Sequence, residues 1–289
     1  MKKQPETNHI VLSMNNFVKR TLSAIGFAAI MLAALLTNKF VFGTVMLLAL
    51  VCMMREFLKM TCGNEYRYSQ ILSIFASITL FVLTFMHRGF DMSGRIVILA
   101  LVPVFILMIN SLYVKDKRRF DKFANLYTAI LYIAVPWSLL NFVAFGADNQ
   151  FDGRLLLAFF AIIWGSDVGA YIFGITFGQK YGKKLFPSIS PKKSWIGFWG
   201  GMFMAFVVAA VLYYTGLFSF PLIHCLVLAI CLNVAGVYGD LIESQWKRHY
   251  EVKDSGAIMP GHGGLLDRFD SALIAVPVGF IYLMVANLL

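Results

Sequence analysis

Nine apolar runs, each close to the thickness of a bilayer, leave this chain few architectures. They lie near residues 21–37, 40–58, 69–87, 95–114, 124–145, 155–177, 195–218, 221–241 and 270–289. Hydrocarbon offers the backbone no hydrogen-bond partner, so such a run crosses a membrane as a helix that satisfies its own amides and carbonyls. With 59% hydrophobic and only 14% charged residues among 289, the chain is expected to be an all-α polytopic membrane protein with about nine transmembrane helices. The first run is short, and the first two could form one hairpin, so the count is good to about one helix.

The basic residues indicate orientation. With the N-terminus inside, 21 of the 25 Lys and Arg residues fall in inside segments, and only Lys39, Arg88, Arg95 and Arg154 fall outside. That is the bias of a membrane protein whose cytoplasmic loops are positive, and it predicts an N-in, C-out topology. The formal charge of +10 then needs no nucleic acid as partner: basic loops beside anionic headgroups account for it. The run Lys115-Asp116-Lys117-Arg118-Arg119 reads most simply as one such topogenic loop. Cys52, Cys62, Cys225 and Cys231 lack metal-type spacing and read as packing thiols. No small-residue cleavage site follows Lys19-Arg20, so the first helix is expected to be retained.

The two halves differ in character. Residues 1–150 read as N-terminal transmembrane helices joined by short loops. In residues 151–289, the expected catalytic region, polar residues and glycines enter the helices themselves. Asp167, in Trp164-Gly165-Ser166-Asp167, stands about 18 Å into the sixth run at 1.5 Å per residue. A lone carboxylate there costs several kcal/mol, roughly, unless it is paired, solvated or bound to a cation. It either faces a cavity holding a cation or bonds a serine inside the bundle.

Three further groups can handle phosphate. Ser190, Lys193 and Ser194 precede the seventh run, where Ser194 is placed to cap the helix and the dipole favours anions. Lys192 and Lys193 either grip phosphate or mark the inside face. Asp240, Ser244 and Lys247 recur at helical spacing on one face, with Arg248 beside them. In the loop that follows, Lys253 and Arg268 can neutralise phosphate oxygens, and Gly261, Gly263 and Gly264 let backbone N–H groups approach an anion. Asp267 and Asp270 are one turn apart at the start of the last run. Carboxylates so close repel unless a cation lies between them, which is the physical case for magnesium, as one or two divalent ions or a divalent with a monovalent ion. His262 can contact phosphate, transfer a proton, or make a structural hydrogen bond.

The stretch from Ser244 to Asp270 resembles the signature of the phosphatidate cytidylyltransferases (CDP-diacylglycerol synthases). The matching residues are Ser244, Lys247-Arg248, Lys253-Asp254-Ser255-Gly256, Pro260-Gly261-His262-Gly263-Gly264, Asp267-Arg268 and Asp270. Residues 164–171 and 190–197 are similar to two further family segments, with Val168 where a hydroxyl usually stands and Lys192 in place of a glycine. The resemblance implies a reaction of CTP with phosphatidate to give CDP-diacylglycerol and pyrophosphate. Together with the helical stripe of Asp240, Ser244 and Lys247, it points to Asp240, Asp267 and Lys247 as catalytic residues. Ser190, Lys193, Ser194, Ser244, Arg248, Lys253, His262 and Arg268 would bind substrate, and Asp167, Asp240, Asp267 and Asp270 the metal. The active site would be a cytoplasm-facing polar cavity of the C-terminal half, in a multi-pass protein of a bacterial cytoplasmic membrane, with a homodimer left open. A CTP-dependent lipid kinase would use the same ions and lysines. A transporter would also show an intramembrane aspartate and glycine-broken helices, but its polar residues would fall in two related halves.

Overall fold

A computed structural model describes residues 6–114, 120–146, 148–179, 182–259 and 263–289. Among these, the chain forms nine helices and one small hairpin. The helices are α1 (Glu6–Leu36), α2 (Lys39–Cys62), α3 (Arg67–Gly89), α4 (Gly94–Tyr113), α5 (Phe120–Val143), α6 (Arg154–Gly178), α7 (Trp195–Tyr214), α8 (Leu222–His249) and α9 (Leu266–Val285). The hairpin pairs β1 (Lys184–Phe186) with β2 (Ser190–Ser194) in antiparallel register, Lys184 opposite Ser194. Eight of the helices are long and apolar enough to cross a membrane; α1 has a shorter apolar part, Thr21–Leu36. The expected all-α membrane architecture is therefore present.

Local chemistry explains where the helices begin and bend. Asn38 caps α2 by accepting from the amides of Phe40 and Val41 at 2.9 and 3.1 Å. α5 is interrupted by a π-turn over Ile130–Ala134 just ahead of Pro136, whose ring has no N–H for the regular ladder. A second π-turn, Gly174–Gly178, closes α6 above the hairpin. Two boundaries differ from the hydropathy reading. α8 runs on to His249 instead of ending near 241, because its last two turns are polar yet still hydrogen-bonded as helix. α9 starts at Leu266, four residues before its apolar run, so Asp267 and Asp270 stand one turn apart in the same helix, as their spacing predicts.

The most extensive contacts join α6 to α7 and α8 to α9. α8 and α9 approach so closely that a Cβ on Gly239 would lie 2.5 Å from the carbonyl oxygen of Asp270, a contact that only a small residue permits. The aromatic centre crosses the boundary near residue 150. Trp137 of α5 meets Phe269 of α9 at 4.7 Å between centroids, and Phe160 of α6 meets the same ring at 5.9 Å. The Trp137 indole N–H donates to the carbonyl of Met46 in α2, at 2.8 Å. By contrast α4 leans almost wholly on α3 and shows Leu101, Phe105, Met108 and Ile109 outward, as a lipid-facing helix should.

Candidate active site

Consecutive antiparallel helices bring the C-terminal ends of α6 and α8, the N-terminal ends of α7 and α9, and the hairpin to one end of the bundle. The charged residues of the second half meet there. Ser194, buried at the end of β2, caps α7 by accepting from the Gly197 amide at 3.2 Å. Its neighbour Lys193 reaches across to α8 and ion-pairs with Asp240 Oδ2 at 2.6 Å. The other oxygen of Asp240 accepts from Ser244, one turn on, at 3.2 Å. The stripe inferred from spacing is thus one face, and the hairpin lysine closes over it.

A second ion-pair group lies deeper. Lys247 sits between Glu243, one turn earlier in α8, and Asp267 Oδ1 of α9, the latter at 2.7 Å. Glu243 has no exposed surface, so the pair is held where charges interact strongly and water does not relieve their loss. Asp267 is further engaged through Oδ2, which accepts from the Ser255 amide at 3.0 Å, the Ser255 hydroxyl at 2.9 Å and the Gly264 amide at 2.7 Å. Gly263, at φ +84°, turns the chain so that this amide faces the carboxylate. The anion held by the described part of the glycine loop is therefore the side chain of Asp267.

Asp167 is differently placed. The hydroxyl of Ser166 donates to Asn233 Oδ1 on α8, at 2.5 Å, so that serine ties two helices together and does not bond Asp167. Among the described residues Asp167 has no hydrogen-bond or ion-pair partner, and its side chain faces open space. Two cavities meet at it. One, of about 250 Å³, lies between α1, α6 and α9 and is walled by Trp164, Arg268 and Asp270. The other, of about 590 Å³, lies between α6, α7 and α8 beneath the hairpin and is walled by Lys192, Lys193, Asp240, Tyr171 and Phe198. Asp270 accepts from the amide of Ser271 at 2.7 Å and forms no ion pair among the described residues. Asp240 and Asp270 are also within electrostatic reach of each other and of Asp167.

Of the remaining expected residues, Arg248 is exposed and its Nε donates to the carbonyl of Ile189, at 3.5 Å, tying α8 to the hairpin turn. Ser190 begins β2 and is half-buried; Lys253 is exposed on the loop after α8, outside both cavities. His262 and the basic run 115–119 lie outside the described residues. Two acids of the site went unassigned in the sequence. Glu243 was visible as the residue one turn before Lys247. Glu56 of α2, buried against the start of α9, carried only the general signal of an acid within an apolar run.

Among the described residues no three acidic, histidine or cysteine side chains form a ready-made metal cage. Magnesium rarely uses one: it keeps several waters and takes one or two carboxylates together with substrate phosphates. Asp167 and Asp270, on the cavity walls and not paired with a cation, fit that pattern. In this arrangement both oxygens of Asp267 are occupied by protein donors.

The pattern of the family described as the cytidylyltransferase family matches residues 18–286. The chain is similar to a phosphatidate cytidylyltransferase of Bacillus subtilis, 38% identical over 188 residues that cover 65% of this chain and 67% of the relative. It is also similar to one of Staphylococcus haemolyticus, 34% identical over 265 residues, covering 90% of this chain and 96% of the relative.

Proposed function

This chain belongs to the cytidylyltransferase family, and from that premise we infer that it is a phosphatidate cytidylyltransferase of a bacterial cell membrane. It transfers CMP from CTP to phosphatidate, giving CDP-diacylglycerol and pyrophosphate. The observation that carries this reading is the meeting of two charged cavities at Asp167. One substrate is a soluble polyanion and the other a lipid held in the bilayer, so they must be brought together at one end of the helix bundle.

A phosphatidate oxygen attacks the α-phosphorus of CTP in line, a new P–O bond forms, and the bond to the β-phosphate breaks to release pyrophosphate. Two polyanions repel, so the protein's part is to neutralise and align them. Lys193 and Lys192 serve phosphate from the hairpin, and Arg268 does so from α9. Lys247, pinned by Glu243 and Asp267, neutralises charge on these two acids beside the reacting groups, so that they repel the phosphates less. Asp167 and Asp270 would hold the magnesium ion, joined by Asp240 once Lys193 leaves it for phosphate; when bound, the ion would supply charge neutralisation at the phosphate oxygens. Ser244 holds Asp240 in place.

The test is product identity. Purified protein in phosphatidate-containing micelles should release pyrophosphate from CTP only when phosphatidate is present, fall to background in EDTA, and recover with added magnesium. Release of CDP with a phosphorylated lipid would instead identify a lipid kinase, and no turnover of CTP at all would favour a transporter.

The same reading puts the site on the cytoplasmic side, N-in and C-out. Cysteines replacing Ser188 in the hairpin turn and Ala257 in the α8–α9 loop, both exposed, should resist a membrane-impermeant thiol reagent in intact cells and react after permeabilisation. Labelling from outside before permeabilisation would reverse the topology.

A further inference from the structure

Glu56 lies in α2, in the half of the chain that carries none of the phosphate-handling motifs. Its side chain is nonetheless buried, 5% exposed, beneath the loop that surrounds Asp267. Oε2 accepts the backbone N–H of Leu266 at 2.9 Å, across 210 positions of sequence. Leu266 is the first residue of α9, and Leu265 before it supplies no side-chain cap. The first amides of a helix have no partner within it, and a negative group there is favoured by the helix dipole. A carboxylate from the other half of the chain thus takes the place of a local N-cap.

The loop is shaped around this side chain. A Cβ on Gly264 would lie 2.6 Å from Glu56 Oε2, and one on Gly256 would lie 2.6 Å from its carboxyl carbon. Contacts that short force something to move, so both positions need glycine for Glu56 to enter. Gly264 is also the residue whose amide donates to Asp267 at 2.7 Å, while Ser255, beside Gly256, donates to the same carboxylate twice. Glu56 therefore touches the backbone on both sides of the Asp267 cradle.

Resting on the reading of Asp267 and Lys247 as part of the reaction centre, we infer that Glu56 is a positioning residue: by capping α9 from α2 it fixes the backbone that holds Asp267, and through Asp267 it fixes Lys247. The first half of the chain thereby takes part in catalysis without touching substrate. It also gives the glycines of the loop a second use, as space for a buried acid.

The experiment compares Glu56→Gln, which keeps an oxygen acceptor at nearly the same place, with Glu56→Leu, which does not. Both are made in a protein that lacks the four native cysteines and carries Ala257→Cys. The Leu variant should lose about tenfold or more in kcat, with the KM for CTP and for phosphatidate changed by less than about threefold, since orientation and not binding is lost. The thiol introduced by Ala257→Cys should react with a maleimide at least about fivefold faster in the Leu variant, as an unanchored loop opens more often. The Gln variant should stay within about threefold of the parent in both readouts. Equal losses in Gln and Leu variants, unchanged labelling in Leu, or a loss confined to KM would each overturn the assignment. If the Leu variant does not insert, Glu56→Asp withdraws the acceptor by one methylene. It should give intermediate losses in both readouts, and parent-like labelling would overturn the assignment. The labelling needs no substrate, so a failure of the proposed reaction would leave the anchoring role to be judged separately.

Discussion

Replacing Lys247 with methionine should destabilise the protein by about 3–5 kcal/mol and abolish measurable turnover, because it strands two acids at once. Glu243 is fully buried and Asp267 nearly so, with 10% of its side chain exposed, and Lys247 is the cation that ion-pairs with both. The companion variant separates stability from catalysis. Lys247→Met combined with Glu243→Gln removes the deepest stranded charge, and leaves Asp267 with its Ser255 and Gly264 donors. It should recover most of the lost stability, read as the unfolding temperature in detergent, without recovering pyrophosphate release. A double variant as unstable as the single one would show that Glu243 is not what Lys247 compensates.

Asp167→Asn should behave in the opposite way. Asparagine has nearly the same shape, and Asp167 has no hydrogen bond or ion pair among the described residues to lose. The unfolding temperature should therefore stay within about the range of an ordinary surface change, 0.5 kcal/mol. Turnover should fall at least about a hundredfold, the order of loss seen when one preorganised electrostatic contact is removed from a reaction centre. A neutral amide holds a hard divalent cation poorly, and the loss should not be rescued by more phosphatidate. An Asp167→Asn protein that is both inactive and strongly destabilised would mean that the aspartate is structural, held by something other than substrate and metal.

Much of the architecture was legible because hydrophobicity over about 20 residues is a local property that the bilayer reads directly. Eight helices long and apolar enough to cross, and the apolar part of α1, lie where hydropathy put the nine runs. The boundaries drifted where a helix continues in polar sequence. α8 outlasts its apolar run by two turns, because backbone hydrogen bonding does not depend on hydropathy and the stripe of Ser244 and Lys247 is still helical. The side-chain pairs one turn apart were equally legible. Ser244 meets Asp240, and Lys247 meets Glu243, because 3.6 residues per turn sets those distances within one helix.

Sequence by itself thus determined the membrane class, the run of helices, the family and the identity of the charged residues at one end, because each is written in composition, periodicity or fixed spacing. Only the tertiary structure decided which charge meets which. Lys193 closes on Asp240, and Lys247 on Asp267, across helix boundaries that spacing does not describe. The glycine loop read as a cradle for phosphate turns one of its amides to Asp267 and leaves room for Glu56. Glu56 itself was hidden because its partner is 210 residues away. A buried acid's role is set by what packing places around it, and packing between distant segments leaves no local trace in the chain.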